Sequence, residues 1–260
     1  MNFNETWEQI NLQLKSIERN KLEEFINHCK EHVFDENRDW FCPNHPLEVL
    51  FYTYFQKKEL EELSEIGMHK MYYELARRKR EEGSFIEARD YYIEAMKYNP
   101  VDLDILFNLA TCYRELEEYE KVKEMAFELY FYCFTPMDIA WFYRLLGNYY
   151  LEKMKPQIAK NLYDYSNLFY ETESANKEID YLKKAMGKKL NEASILEIQE
   201  NLTKESIPTK VNAKTLAFVY KVAMQAIEVG NLPYGKQLLI FLYEMTGDLK
   251  VKEELDKHSD

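Results

Sequence analysis

The sequence predicts an all-α fold built from repeated helical hairpins. Glycine is scarce, with 7 residues in 260, while 46% of the residues are hydrophobic and 31% are charged. This composition is too apolar for a disordered chain and too charged for a membrane protein. Glu, Leu, Lys, Met and Ala favour helices, and apolar residues recur with helical spacing inside a unit that repeats along the chain. These observations disfavour sheet-rich folds and Gly-rich dinucleotide-binding loops.

The clearest sign of the repeat is a recurring pair of adjacent residues, a large apolar residue followed by a small one. Leu75-Ala76 recurs as Leu109-Ala110 and Leu146-Gly147, at spacings of 34 and 37 residues. The second half of each unit keeps the same register, in the series Ala88, Val122, Ala159 and the series Tyr92, Ala126, Tyr163. Each half forms one apolar face of a helix, and the small residues let the two helices of a hairpin approach closely.

Short polar turns separate the helices, and two helix starts carry capping signals. The turns are predicted at Glu82-Gly83-Ser84, at Glu117-Glu118-Tyr119 and at residues 153–156. Ser84 followed by Glu87 is typical of a capping box, and Thr135 before Pro136 is typical of a cap with proline at the first helical position.

These hairpins resemble the tetratricopeptide repeat (TPR) family over roughly residues 69–249. The matching residues are Tyr72, Leu75, Ala76, Ala88, Tyr92, Ala95 and Pro100 in the first copy; Leu106, Leu109, Ala110, Tyr113, Ala126 and Leu129 in the second; and Tyr143, Leu146, Gly147, Tyr150, Ala159 and Tyr163 in the third. A fourth copy has Val222-Ala223 in the paired slot and turns at Gly230-Asn231. The resemblance implies an α-solenoid with a concave face.

The chain therefore divides into five predicted segments. These are N-terminal capping helices at 1–66, three TPR-like repeats at 67–173, a degenerate helical hairpin at 174–210, a fourth repeat at 211–250 and a charged, fraying tail at 251–260. In the degenerate hairpin, Ser174 is expected to cap a helix reaching about Lys189, and residues 191–204 form its partner. A terminal cap is needed because a solenoid must cover its last apolar face.

In the TPR family the first helix of each repeat lines the concave face, and this register selects a set of candidate peptide-binding residues. They are Lys70, Tyr73, Arg77, Arg80, Phe107, Asn108, Thr111, Arg114, Trp141, Arg144 and Asn148, with Asp104 as the one acid among the first three copies. Arginine forks bind carboxylates, and aromatic faces accept side chains. We expect the groove to bind an acidic or amphipathic segment. The alternative is a solvated charged face whose arginines pair with Glu74, Glu81 and Glu115.

The expected function is that of a non-enzymatic protein- or peptide-binding module that needs no cofactor. The TPR subtype that grips chaperone carboxylates requires five polar residues, of which only Asn108 is present, so that subtype is disfavoured. One alternative is a peptide-sensing regulator that controls a transcription factor or a phosphorelay. No Ser, Cys or carboxylate constellation indicates nucleophilic or acid–base catalysis.

A second alternative is a metal-dependent enzyme that uses the N-terminal His/Cys residues. His28 and His32 share one side of a helix, and Cys42 and His45 follow after a short interval. Zinc accepts such nitrogen and sulfur ligands. This spacing is weakly specific, and ordinary surface histidines with a buried thiol explain it equally well.

Two further motifs have structural and functional interpretations. Residues 230–237 (GNLPYGKQ) nearly match a phosphate-binding P-loop, but Gln237 replaces the hydroxyl residue and a helical pattern precedes the motif, which favours an inter-helix turn. The aromatic-rich run at 130–134 exceeds what repeat cores need. It is predicted to fill the seam widened by an insertion before Pro136, or else to form a second hydrophobic contact site.

Charge and cysteine content bear on partners and location. The formal net charge of −12 disfavours nucleic acid and anionic membranes as partners. The four cysteines have no CxxC spacing, the N-terminal residues lack a signal-peptide pattern, and no apolar run is long enough to span a membrane. We therefore expect a cytoplasmic protein, with its oligomeric state undetermined by the sequence.

Overall fold

A computed structural model describes residues 3–186 and 190–258, and this part of the chain is predominantly helical. It contains fourteen α-helices and one pair of two-residue strands, which confirms the all-α prediction. The chain forms two compact units, which we call unit 1 (through Glu118) and unit 2 (from Tyr119). None of the described helices combines the length and the apolar character that crossing a bilayer requires.

Unit 1 holds six helices and the two strands. They are α1 (Phe3–Leu12), α2 (Arg19–His32), β1 (Trp40–Phe41), α3 (Pro46–Phe55), β2 (Glu62–Leu63), α4 (Met68–Glu81), α5 (Phe85–Tyr98) and α6 (Leu103–Glu115). The strands pair in parallel, with Trp40 opposite Glu62, which the sequence analysis did not predict. Helix α5 packs on α4 and on α6, and α2 packs on α4. The core of the α4/α5 hairpin is tight because Ala76, Ala88 and Ala95 are fully buried.

Unit 2 holds the remaining eight helices. They are α7 (Tyr119–Tyr130), α8 (Pro136–Glu152), α9 (Pro156–Asn167), α10 (Glu173–Met186), α11 (Ile195–Lys204), α12 (Ala213–Glu228), α13 (Leu232–Thr246) and α14 (Leu249–Lys257). The pairs α8/α9 and α12/α13 are antiparallel neighbours in sequence and pack extensively, as expected for the third and fourth hairpins. In α8/α9, a Cβ on Gly147 would lie 3.0 Å from the Tyr163 ring, so this glycine lets the helices approach closely.

The inter-helix turns repeat at the predicted register. Gly83, Glu117, Met154 and Gly230 all have positive φ, between 57° and 85°, and they are separated by the same intervals as the large–small pairs. In each turn the next residue's N–H bonds back to a carbonyl five residues earlier, as Ser84 does to Lys79 and Asn231 to Ala226. This is the Schellman termination of a helix. The shared backbone geometry supports the repeat that the side-chain pattern predicted.

The two predicted caps have different outcomes. Thr135 forms a complete capping box with Asp138, and Pro136 occupies the first turn of α8, as expected. Ser84 precedes α5 but makes no side-chain capping bond. The carboxylate of Glu87 instead lies 2.9 Å from Lys79 Nζ, so an ion pair to α4 replaces the expected capping box.

Residues 174–210 and the C-terminal segment differ from the predictions. Helix α10 begins at Glu173, so Ser174 lies inside it instead of capping it, whereas α11 ends at Lys204 as expected. Both α10 and α11 pack against α9. The expected helix end at Lys189 lies outside the described residues. The predicted tail is largely the helix α14, which Asp248 caps and whose buried Val251 anchors it. Residues 259 and 260 lie outside the described part of the chain.

Candidate peptide-binding surface

Helices α4 and α6 together form a surface, which we call the α4/α6 face. Asn108 on α6 accepts a hydrogen bond from the Arg80 guanidinium and donates one to the Tyr73 hydroxyl, 3.2 Å away. The Asn108 amide also donates to the Asp104 carbonyl at 2.7 Å. Three of the candidate residues from two predicted repeats are therefore joined in one network within unit 1.

The basic residues of α4 divide into paired and unpaired groups. Arg77 forms a bidentate contact with the buried carboxylate of Glu74, at 2.7 and 2.8 Å, and also bonds Glu81. This pairing matches the alternative interpretation of a neutralised charged face. Lys70 and Arg80 have no carboxylate within 4 Å among the described residues. Within the described residues, the α4/α6 face therefore carries two positive charges without a direct ion-pair partner, and the Asp104 carboxylate is the nearby acid that acts with Arg80 on Tyr73.

The other candidate residues of α6 bond to residues of the same helix. Thr111 donates to the Phe107 carbonyl at 3.0 Å, and both side chains are half-buried. Arg114 is exposed and bonds Glu115 at 2.6 Å. The α4/α6 face thus offers Lys70, Arg80 and the rings of Tyr73 and Phe107 to a ligand more readily than it offers Arg77 or Arg114.

Three candidate residues lie on α8 in unit 2, and the structure gives each a different role. Trp141 is 45% exposed, with the Arg144 guanidinium 5.9 Å from its ring centre. Arg144 was expected to face a ligand, but it is buried and donates to Ser166 and to the Tyr170 carbonyl. Arg144 therefore ties α8 to the last turn of α9 and to the loop that follows it. Asn148 accepts a hydrogen bond from the Tyr163 hydroxyl at 2.6 Å.

The four candidate metal ligands of unit 1 are not assembled into a site. Among residues 3–186 and 190–258, no group of three or more His, Cys, Asp or Glu side chains is arranged to hold a metal ion. The rings of His28 and His32 lie against each other at a tilt of 39°, with centroids 4.3 Å apart. Burial raises the pKa of the Cys42 thiol to about 12, which keeps it protonated. His45 instead faces Glu48, with 3.7 Å between Nε2 and Oε1.

A buried polar cluster in unit 1, which the sequence analysis missed, joins α3, α4 and the start of α6. We call it the carboxylate cluster: Asn44, Glu48, His69, Asn99 and Asp102. The Asn44 amide donates to Glu48 at 3.1 Å and to Asp102 at 2.7 Å, and Asn99 donates to Glu48 at 2.9 Å. Burial and the nearby Glu48 raise the pKa of Asp102 to about 7, and burial lowers the pKa of His69 to about 3. The cluster cross-links segments more than 50 residues apart.

In unit 2 the excess aromatic residues hold an extended segment of the chain. The hydroxyls of three tyrosines donate to three consecutive carbonyls: Tyr143 to Pro208 at 3.0 Å, Tyr165 to Thr209 at 2.8 Å and Tyr130 to Lys210 at 2.6 Å. We call this arrangement the tyrosine ladder. It shows that part of the aromatic excess fills internal space, as the simpler interpretation held.

The P-loop-like motif is part of a helical hairpin. Its second glycine, Gly235, lies inside α13, and a Cβ there would lie 2.8 Å from the Ala223 carbonyl oxygen of α12. Gly230 closes the preceding turn. Both glycines therefore have packing or turn roles, and the helix α12, rather than a strand, leads directly into the motif.

Comparisons with known proteins identify no relative. The chain matches no protein-family model, and a search of curated proteins finds no match. The resemblance to tetratricopeptide repeats therefore depends on the residues and the turn geometry described above.

Proposed function

We propose that this protein is a non-enzymatic, TPR-like binding module whose α4/α6 face recognises an acidic peptide segment. The observation that carries the proposal is the pair of positive charges at Lys70 and Arg80, which lack carboxylate partners within 4 Å in the described structure. Tyr73 and Phe107 come from the same two helices and are half-buried, and the Tyr73 ring packs edge-on against Tyr92, so the exposed part of each ring adds apolar surface. A peptide carboxylate supplies the partner that the guanidinium of Arg80 lacks.

The geometry favours a peptide over a small anion. Arg80 is already oriented by Asn108, and Asn108 is held in turn by Tyr73 and by the carbonyl of Asp104. A preorganised side chain loses less entropy on binding. The positive charges and the rings are spread over two helices, and such a surface fits successive side chains of an extended or helical segment.

The test is a selection from a random peptide library displayed on phage, followed by affinity measurement with the selected peptides. We expect enrichment in Asp and Glu, and a Kd that increases with salt concentration. Reversing both charges, Lys70→Glu with Arg80→Glu, should weaken binding by about 10- to 100-fold, because a hydrogen bond to a charged group contributes about 1.5–3 kcal/mol.

The matched control reverses two exposed lysines elsewhere in unit 1, Lys15→Glu with Lys57→Glu, and so changes the net charge equally. Circular dichroism establishes that both double variants remain folded. If the selected peptides show no acidic enrichment, or if both variants bind them equally, the α4/α6 face is not the recognition site.

A further inference from the structure

Unit 2 contains an open pocket of about 740 Å³ that is distinct from the α4/α6 face. It lies among the start of α8, the end of α9, α11 and α13, and its walls are mainly apolar and aromatic. A volume between about 300 and 1,000 Å³ is typical of ligand sites. Neither the repeat pattern nor the proposed function accounts for this pocket.

The walls of the pocket are held in place by bonds that do not involve a ligand. The capping box of Thr135 and Asp138 fixes the start of α8. The buried Arg144 fixes the end of α9 through the Tyr170 carbonyl. Gln199 on α11 donates to the Tyr165 hydroxyl at 2.9 Å, and Tyr165 belongs to the tyrosine ladder. The pocket is therefore preformed, which reduces the entropic cost of binding.

Large apolar side chains at the pocket remain in contact with solvent. Met137, Leu168, Tyr170 and Ile195 are each between 46% and 55% exposed, and each comes from the wall of the pocket. A clustered apolar surface of this kind marks an interaction site more often than scattered single residues do. Methionine adapts its shape to different partners, which suits Met137 to recognition.

The charge at the pocket defines the chemistry of its occupant. Glu244 is the one Asp or Glu among the lining residues, it is exposed, and no Lys, Arg or His nitrogen lies within 4 Å of its carboxylate in the described structure. We propose that this pocket binds an amphipathic helical segment of a partner protein, whose apolar side chains fill the pocket and whose Lys or Arg pairs with Glu244.

The shape of the site favours a peptide helix over an enclosed small molecule. The apolar surface continues along α8 from Met137 to Trp141, one turn away and 45% exposed. Grooves that accept helices bind apolar residues spaced at i, i+3, i+4 and i+7. The site differs in charge from the α4/α6 face, so it selects a basic segment where that face selects an acidic one.

The test uses a fluorescein-labelled helical peptide of about 14 residues made of Leu and Lys, with Leu at those spacings, and its Leu/Glu counterpart. The protein is labelled with ¹³C at the methionine methyl groups. We expect the Leu/Lys peptide to bind and to shift the Met137 and Met245 signals. Met154 is 86% exposed and does not line the pocket, so its signal should not move.

Two neighbouring residues of α11 provide a matched pair of variants. Ile195 lines the pocket and Leu196 does not, although both are more than half exposed. Ile195→Ser should weaken binding about tenfold or more, because it removes a buried apolar side chain from the complex, whereas Leu196→Ser should change it less than about twofold. Glu244→Lys should weaken the Leu/Lys peptide about two- to fivefold and favour the Leu/Glu peptide.

Three results would overturn the proposal. The first is equal binding of the Leu/Lys and Leu/Glu peptides to the unmodified protein. The second is equal weakening by the Ile195 and Leu196 variants, which would place the peptide outside the pocket. The third is a shift of the Met137 and Met245 signals when the protein concentration alone is raised, which would assign the pocket to a second copy of this chain.

Discussion

Unit 1 and unit 2 join distant parts of the chain by different polar chemistry. In unit 1 the carboxylate cluster brings together ionisable groups, Glu48, Asp102 and His69, around two asparagine amides. In unit 2 the tyrosine ladder uses neutral phenols and backbone carbonyls, and burial raises the pKa of Tyr130 and Tyr143. The cross-link in unit 1 therefore responds to pH near neutrality, whereas the one in unit 2 does not.

The units also differ in charge. Residues 1–118 contain 15 Lys and Arg against 25 Asp and Glu, whereas residues 119–260 contain 19 against 21. The unpaired basic residues of the α4/α6 face therefore lie in the more acidic unit. Local pairing, rather than net charge, determines the charge that each surface presents, because screening limits the reach of exposed charges to about 10 Å at ordinary salt concentrations.

The largest expected effect comes from breaking the carboxylate cluster. Glu48→Ala leaves three donors, the Asn44 N–H and amide and the Asn99 amide, without their acceptor. The free energy of unfolding of unit 1 should fall by at least about 3 kcal/mol, since each buried unsatisfied group costs about 1–3 kcal/mol. Urea unfolding measures this loss of free energy, and hydrogen exchange of residues 40–55 assigns it to unit 1. Glu24→Ala, on the exposed side of α2, is the control, and a loss below about 1 kcal/mol would contradict the prediction.

Breaking the tyrosine ladder should have a smaller effect, confined to unit 2. Tyr165→Phe or Tyr143→Phe leaves a carbonyl of the extended segment without its donor and should cost about 1–3 kcal/mol. Hydrogen exchange of residues 207–212 should become faster while residues 40–55 keep their protection. Tyr181→Phe, on an exposed residue of α10, should change neither segment. Equal acceleration in both units would show that the ladder is not a local cross-link.

The carboxylate cluster should make the stability of unit 1 depend on pH near neutrality, and its two components oppose each other. The raised pKa of Asp102 makes the native state hold a proton that the unfolded chain releases, so this contribution is lost as the pH rises toward 7. The lowered pKa of His69 makes the unfolded chain take up a proton first, so that contribution is lost as the pH falls below about 6.5. The two slopes offset each other between about pH 4 and 6.5.

Single variants should reveal each component as a difference in unfolding free energy of about 1–2 kcal/mol between pH 5.5 and 7. Relative to the unmodified protein, Asp102→Asn should gain stability as the pH rises, and His69→Gln should gain stability as the pH falls. Other charged or titratable groups also face or flank the cluster, namely Glu48, Asp104, His45 and Lys70. Because they are present in every variant, subtracting the curve of the unmodified protein removes their own contribution to the pH dependence. Parallel curves for the unmodified protein and both variants would exclude the assignment.

The smallest expected effect is the loss of stability when either of the two predicted helix caps is removed. Thr135→Ala should destabilise unit 2 by about 1 kcal/mol, because it removes the capping bond to α8. Ser84→Ala should cost less than about 0.5 kcal/mol, because Ser84 makes no capping bond to α5. Thermal unfolding of both variants measures the difference. A loss at Ser84 as large as that at Thr135 would show that the capping box predicted at Ser84 forms in solution.

The sequence predicts the helices and their turns well because these depend on local spacing. The helices near Leu75 and Leu146 and the positive-φ turns at Gly83 and Met154 follow from apolar periodicity and a fixed register. These features need only residues within about one hairpin. Asn108 and Tyr73 were both candidate groove residues, and the structure joins them by a hydrogen bond on the α4/α6 face.

Long-range polar contacts could not be predicted in the same way. Glu48 and Asp102 are separated by 54 positions, and no spacing rule joins them. The register placed Arg144 on a ligand-facing surface, but the Ser166 hydroxyl and the Tyr170 carbonyl accept its hydrogen bonds in the interior of unit 2. Likewise, an aromatic-rich run indicates packing, but it does not say which carbonyl a phenol reaches, so the tyrosine ladder and the pocket beside it were not found.

The tyrosine ladder has a consequence for how this protein can diverge. Its three phenols contact main-chain oxygens and therefore do not depend on the side chains at positions 208–210. Every amino acid presents a main-chain carbonyl, so the ladder constrains Tyr130, Tyr143 and Tyr165 more than it constrains the exposed Lys210, whereas Pro208 and Thr209 are half-buried. New side chains with other properties could be installed on this segment, as a grafting site, without loss of the bonds that hold it.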